Sequence, residues 1–292
     1  MTTTQHNQAP PARHSIDAVK TWRYLRLSMV AVVTGLAAAV VYEHFQTKGN
    51  GCFQTSVSAY YYTPARSVFV AALVSIGVAM ICLRGSTPWE DLLLNLAGMF
   101  APVVAFVPTP DPGTCWSVKS ATEARAPNIA NNLTALLIAG GLALAFAIWR
   151  AWRERSRHEP RRARIALAIA VAVWVAVLCV HAFDSEFFDN YAHATAATAM
   201  FLCIIAVVCI NARELKPVDS KHNYARWYTA VAVAMVVVLT MGLVVVIVHW
   251  LGGELWSYLT IVVETLLLIL FAIFWGIQTR ELWNDGLRPP AK

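Results

Sequence analysis

Apolar residues run along this chain in long unbroken blocks, without the strict alternation of a half-buried strand, and short polar stretches rich in Arg, Pro and Asn separate them. Eight blocks stand out, at roughly residues 25–45, 66–83, 88–108, 128–149, 163–183, 189–211, 226–249 and 256–278. Each approaches the ~20 residues that a helix needs to cross ~30 Å of hydrocarbon. Within lipid only helices and closed barrels satisfy their own backbone hydrogen bonds, and blocks of this length predict helices. The expected fold is all-α: a polytopic transmembrane helical bundle of about eight spans. Residues 1–22 are expected to form a disordered cytoplasmic tail, 23–283 the transmembrane helical domain and 284–292 a short cytoplasmic tail. The stretch from Met1 to Asp17 is polar, carries Pro10 and Pro11, and lacks the apolar run and cleavage site of a signal peptide.

Composition sharpens this picture. With 58% hydrophobic and 14% charged residues and a mean hydropathy of +0.54, the chain is too apolar for an ordinary soluble domain. Its Lys and Arg residues divide by loop. Nineteen fall in the N-terminal tail, in alternate loops (Arg84; Arg150 to Arg164; Arg213 to Arg226) and at the C-terminus, while only Lys48, Arg66, Lys119 and Arg125 fall on the other side. Under the positive-inside rule this split puts both termini in the cytoplasm of a plasma membrane, and an even number of spans requires them to share a side. The run Arg150 to Arg164 reads as a lipid-touching cytoplasmic loop, not a nucleic-acid surface, because no fold accompanies it to present it. Membrane lipids are the expected partners.

Loop chemistry follows from the same frame. Thr87-Pro88-Trp89-Glu90 has the form of a capping box opening the third helix, which accounts for Glu90 and Asp91 on the positive end of its dipole. Pro102 should kink that helix. Cys52 and Cys115 both fall in loops on the outer side and are candidates for a disulfide; the other four cysteines lie in spans.

Most of the unusual polar residues gather at the expected outer face. Glu264 lies about eight residues inside the last helix, about 12 Å deep at 1.5 Å per residue. A carboxyl there costs several kcal/mol unless it is protonated, paired or facing water, so it marks either a functional site or a structural hydrogen bond, with Asn131 or His193 as partner. With Thr260, Phe271, Trp275 and Gln278 it forms one stripe that should face the bundle. His181, Asp184, His193 and His249 form a candidate divalent-metal set, although no HxxxH or HExxH spacing supports it and interfacial histidines are the simpler reading. Arg66 follows the hydroxyl-rich stretch Ser56 to Tyr62. Together they form either a cradle for a phosphate or carboxylate headgroup, or an interfacial tyrosine belt with Arg66 paired to Asp184 or Glu186. The candidate ligand-binding set is therefore Ser58, Tyr60, Tyr61, Arg66, Asn131, His193 and Glu264.

Three segments carrying these residues, SVSAYYYTPARSVFV (56–70), NYAHATAATAMF (190–201) and VETLLLILFAIFW (263–275), resemble a group of bacterial polytopic membrane proteins. That group is in turn distantly similar to the autophagy-modulator (DRAM) and GPI-anchor-remodelling membrane proteins. The shared features are a serine-containing segment after the first span, a histidine opening a later helix and a glutamate in the last, matched here by Ser58, His193 and Glu264. The resemblance implies membrane residence and lipid handling. It also implies a core of about six spans, with the additional helices in the middle or at the end. The alkaline-ceramidase and adiponectin-receptor hydrolases are a looser comparison, because their paired histidines one turn apart in the last helix are absent. The expected function is binding or remodelling of a lipid-like molecule in an outward-facing pocket. Proton- or cation-coupled transport through Glu264, and a non-catalytic membrane scaffold or receptor, are the alternatives.

Overall fold

The computed structural model describes residues 13–46, 52–113, 115, 117–153, 161–215, 222–252 and 258–288. Regular structure among them is entirely helical: α1 (Arg13–Gln46), α2 (Arg66–Cys82), α3 (Pro88–Phe106), the short α4 (Lys119–Glu123), α5 (Arg125–Arg153), α6 (Arg161–Phe183), α7 (Ser185–Leu215), α8 (His222–Trp250) and α9 (Leu259–Glu281). Seven of these helices are long and apolar enough to cross a membrane. The helix α2, with 17 residues, rises about 25 Å and falls short of a full crossing by length alone.

Six helices close into a ring in the order α1, α2, α3, α7, α8, α9 and back to α1, while α5 and α6 form a hairpin attached outside α3 and α7. The two middle helices are thus the peripheral pair. Leu133, Leu137 and Ile129 are the only residues of α5 that are buried among the described ones, and α6 buries none. The hairpin is joined by Trp174, which donates its indole N–H to the Leu137 carbonyl at 3.1 Å and lies against Gly140 and Gly141.

A close helix crossing joins α2 to α3. A Cβ placed on Gly77 would lie 2.8 Å from the Gly98 carbonyl oxygen, and one on Gly98 would lie 2.6 Å from that of Gly77. Pro102 follows Gly98 by one turn and cannot donate the N–H that would otherwise bond this carbonyl. The expected kinking residue therefore frees a carbonyl at the point where glycine lets the neighbouring backbone approach. Between lipid-solvated helices such small-residue contacts replace the hydrophobic effect as the source of association.

The first half of α1 meets the segment after α9 at one end of the ring. The Arg23 guanidinium donates to the Trp283 carbonyl and lies over its indole, 4.1 Å from the centroid. Arg26 donates to the Gly286 carbonyl at 2.7 Å. The stretch 13–22 is helix, where a disordered tail is expected; residues 1–12 lie outside the described ones. At the opposite end, Cys52 and Cys115 are joined in a disulfide with Cα atoms 5.9 Å apart, as their shared loop side predicts.

Candidate functional site

At the disulfide end, the chain between α1 and α2 does not lie along the surface. Residues Ser58–Tyr62 form a 3-10 turn pushed into the ring as a plug, with Tyr60, Tyr61 and Tyr62 no more than 1% exposed. This corrects the tyrosine-belt reading. Local hydroxyls shape the turn: Ser56 Oγ accepts from the Ala59 N–H at 3.0 Å, and Thr63 Oγ1 donates to the Tyr60 carbonyl at 2.9 Å. Two backbone bonds then tie the plug to its surroundings, Ile261 N–H to the Thr55 carbonyl at 2.9 Å and Val118 N–H to the Tyr62 carbonyl at 2.7 Å.

Glu264 completes the attachment. One carboxyl oxygen accepts from the Val57 N–H at 2.5 Å and the other from the Ser58 hydroxyl at 3.4 Å. Glu264 therefore faces the bundle interior as its stripe predicts, and Phe271, Trp275 and Gln278 below it are buried. Its partners, however, come from the plug and not from Asn131 or His193. We expect Glu264→Ala to leave the Val57 N–H without its acceptor, the Ser58 hydroxyl keeping Ser56 Oγ at 3.1 Å, and to cost about 1–3 kcal/mol. Glu264→Gln keeps one acceptor and should cost less. Thermal unfolding of the purified protein in detergent measures both. Equal losses would show that charge, not the acceptor position, holds the plug.

The remaining candidates separate. Asn131 is exposed on α5 and contacts Asn132, so it does not join the site. Arg66 pairs with neither Asp184 nor Glu186: it donates to the Tyr61 hydroxyl at 2.6 Å and its guanidinium stacks 4.2 Å from the Tyr61 ring centroid. His193 is buried in α7 with Nδ1 at 2.7 Å from the Val107 carbonyl.

The metal set does not converge. Asp184 caps the first turn of α7 by accepting from the Phe187 N–H at 2.9 Å. His193 is committed to Val107, and His181 lies edge-on to Phe188. The side chain of His249 lies outside the described residues. Among those described, no group of three or more His, Cys, Asp and Glu is placed to hold a metal ion.

Beside this region lies a groove of about 180 Å³ between α3, α6 and α7. Phe100 and Val103, Ala176 and Val180, and Phe188 and Ala196 line it, with Tyr191 and Thr195 as its polar residues. The Thr195 hydroxyl is already spent on the Tyr191 carbonyl at 2.8 Å. The groove is smaller than the ~300–1,000 Å³ of a typical small-molecule pocket and has almost no free polar group to orient a polar substrate. A single apolar chain suits it.

Arg125, which was counted in the sequence only as an outer-side charge, anchors the mouth of this groove. It donates to the Pro108 carbonyl at 3.3 Å and to the carbonyl of Asp189, the residue after Phe188. Tyr62, whose hydroxyl donates to the Thr109 carbonyl at 2.6 Å, lies beside it. Nothing in a single sequence links Arg125 to residues so far along the chain.

The opposite end holds a buried polar network whose extent is invisible in the sequence. The capping box forms as expected: the Glu90 N–H donates to Thr87 Oγ1 at 3.1 Å. Yet Glu90 also accepts from Asn211 at 2.9 Å and from Gln278 at 3.3 Å. Gln278 accepts from Arg26 at 3.0 Å. Alongside, Glu281 accepts from Tyr228 at 2.7 Å and from Arg288 at 2.9 and 2.7 Å. No family model matches the chain, and neither does any curated protein or solved structure.

Proposed function

We propose that this chain is an integral plasma-membrane protein with eight spans, its termini in the cytoplasm and its disulfide end outside, and that it holds the chain of a lipid-like molecule in the groove between α3, α6 and α7. The topology is supported by the division of Lys and Arg, nineteen against four. The meeting of Arg23 and Arg26 of α1 with Trp283 and Gly286 at the end opposite the disulfide agrees with it. On this reading α2 completes its crossing because the plug carries the chain inward before the helix starts.

The groove carries the functional reading. It opens on the flank of the bundle between helices whose outer faces are apolar, and its lining offers dispersion contacts and little else. A lipid chain entering sideways meets such a surface without crossing water. Commitment of Glu264 to the plug supports binding over transport through that carboxyl.

Native mass spectrometry of the protein extracted in mild detergent tests this reading. A co-purifying lipid adduct is expected on the wild type and lost in Ala176→Trp, which fills the groove from α6, where no residue is buried. Leu142→Trp, on the exposed face of α5, should keep the adduct. Retention in Ala176→Trp would remove the groove as the site. Labelling of a cysteine at Ser185 from outside intact cells is expected, and its absence would reverse the orientation.

A further inference from the structure

We infer that the molecule held in the groove bears an anionic headgroup, seated at the disulfide end by Arg125 and Arg66 around the Tyr61–Tyr62 pair. This rests on the groove being a lipid-chain site and names the class of lipid. The Tyr61 and Tyr62 rings meet edge to face with centroids 5.5 Å apart. Arg66 stacks on the first and bonds its hydroxyl, while Arg125 lies against the second and reaches the groove mouth at Asp189. Two guanidinium groups therefore flank one aromatic pair.

Neither is ion-paired. Among the described residues neither arginine has a carboxylate within ion-pair distance. Their bonds go instead to carbonyls and a phenol, and the Nε–H of Arg125 is buried without a partner. The Asp111 carboxylate lies near Tyr62 and accepts from the Gly113 N–H at 2.8 Å, a bond that leaves its charge in place, but it is not within ion-pair distance of either arginine. The phenols cannot supply the charge. Burial pushes Tyr62 up to about 12 even with Arg125 beside it, and burial also raises Tyr61 against the pull of Arg66 and Arg125, so both are neutral at pH 7.

Two partly desolvated cations held close together without an anion are costly, and a phosphate oxygen relieves them with charge-assisted, fork-matched hydrogen bonds. A zwitterionic headgroup does so less well, since its own cation meets two more.

The test uses the purified full chain incubated with equimolar phosphatidylglycerol and phosphatidylcholine of identical acyl chains, read as the ratio of adducts in native mass spectra. The wild type should favour phosphatidylglycerol by about fivefold or more, the effect of roughly one well-placed arginine near an anionic surface. Arg66→Gln should lower that ratio without lowering the phosphatidylcholine adduct. Arg66→Gln with Arg125→Gln should bring the ratio to about one, on the same scale. Because Arg125 also ties the Pro108 and Asp189 carbonyls, the wild-type ratio and Arg66→Gln suffice should the double variant fail to fold.

A wild-type ratio of one overturns the headgroup inference, and if Ala176→Trp still removes both adducts the groove reading survives it. Adducts that persist in Ala176→Trp overturn both. Inorganic phosphate, which has the charge without the chain, should leave the ratio unchanged; displacement by phosphate would make this a free-anion site and overturn the lipid assignment.

Discussion

Glu281→Ala is expected to lower the apparent melting temperature of the purified protein in detergent by about 6–20 °C. The side chain of Glu281 is fully shielded and Arg288 grips it with two bonds of 2.9 and 2.7 Å, while Tyr228 adds a third of 2.7 Å. Truncation leaves the Tyr228 hydroxyl without an acceptor. It also leaves the Arg288 guanidinium, itself largely buried, with Glu214 at 3.8 Å as its ion-pair partner among the described residues and the Tyr228 ring at 5.8 Å. Removing one partner from a buried ion pair costs about 3–5 kcal/mol, most of it the penalty of the stranded charge. At about 2–4 °C per kcal/mol for a chain of this order, that gives the stated range. Glu281→Gln should fall between, since its amide oxygen still serves one donor.

The loss should also free the C-terminal segment. Arg288 donates its backbone N–H to Ser86 at 3.4 Å, and Gly286 packs against Trp22 with φ +71, a backbone conformation suited to glycine. A protease added to the folded variant should therefore cut after Trp283 faster than in the wild type. A melting shift below about 3 °C, under the cost of even one stranded buried group, would show that the network does not hold these elements together.

The second large effect is expected at the α2–α3 crossing. Gly98→Val must push α2 away, because even its Cβ would lie 2.6 Å from the Gly77 carbonyl oxygen and the Ile81 side chain. Backbone cannot yield as a flexible side chain can. Overpacking of this kind costs about 1–3 kcal/mol, and the separation also forfeits packing that helices in lipid depend on. Gly276→Ala is the matched control. That glycine is also helical, but nothing lies within 4 Å of its Cβ position, so the added methyl should be neutral or stabilise by about 0.5–1 kcal/mol. Heating followed by size-exclusion chromatography separates the two outcomes. Equal survival of Gly98→Val and Gly276→Ala would mean that the crossing is looser than its geometry implies.

Periodicity and length by themselves determined the helices, because a span in lipid must close its own hydrogen bonds and therefore announces itself as some twenty apolar residues. The eight blocks coincide with α1–α3 and α5–α9, and the capping box at Thr87 and the outer-side pair Cys52 and Cys115 could be read from local pattern alone. Glu264 declared itself too, since a carboxyl that deep in an apolar block needs a partner. Tertiary structure decided what that partner is. Ser58 is 206 positions away, and the hydroxyl-rich stretch around it has the same composition whether it floats at an interface or is drawn inside; only closure of the ring, with α9 next to α1, settles that it is a plug.

Glu90 shows the same limit from the other side. Its cap was legible because the partner is three residues away, whereas its bonds to Asn211 and Gln278 span 121 and 188 positions. Asn131 was misplaced for a related reason: helix periodicity gives the angle between side chains, but which angle faces the bundle depends on where α5 packs, and α5 sits on the outside. Local hydrogen bonding and hydrophobic length are properties of the sequence. Which face turns inward, and which distant donor meets a buried acceptor, are properties of the packing.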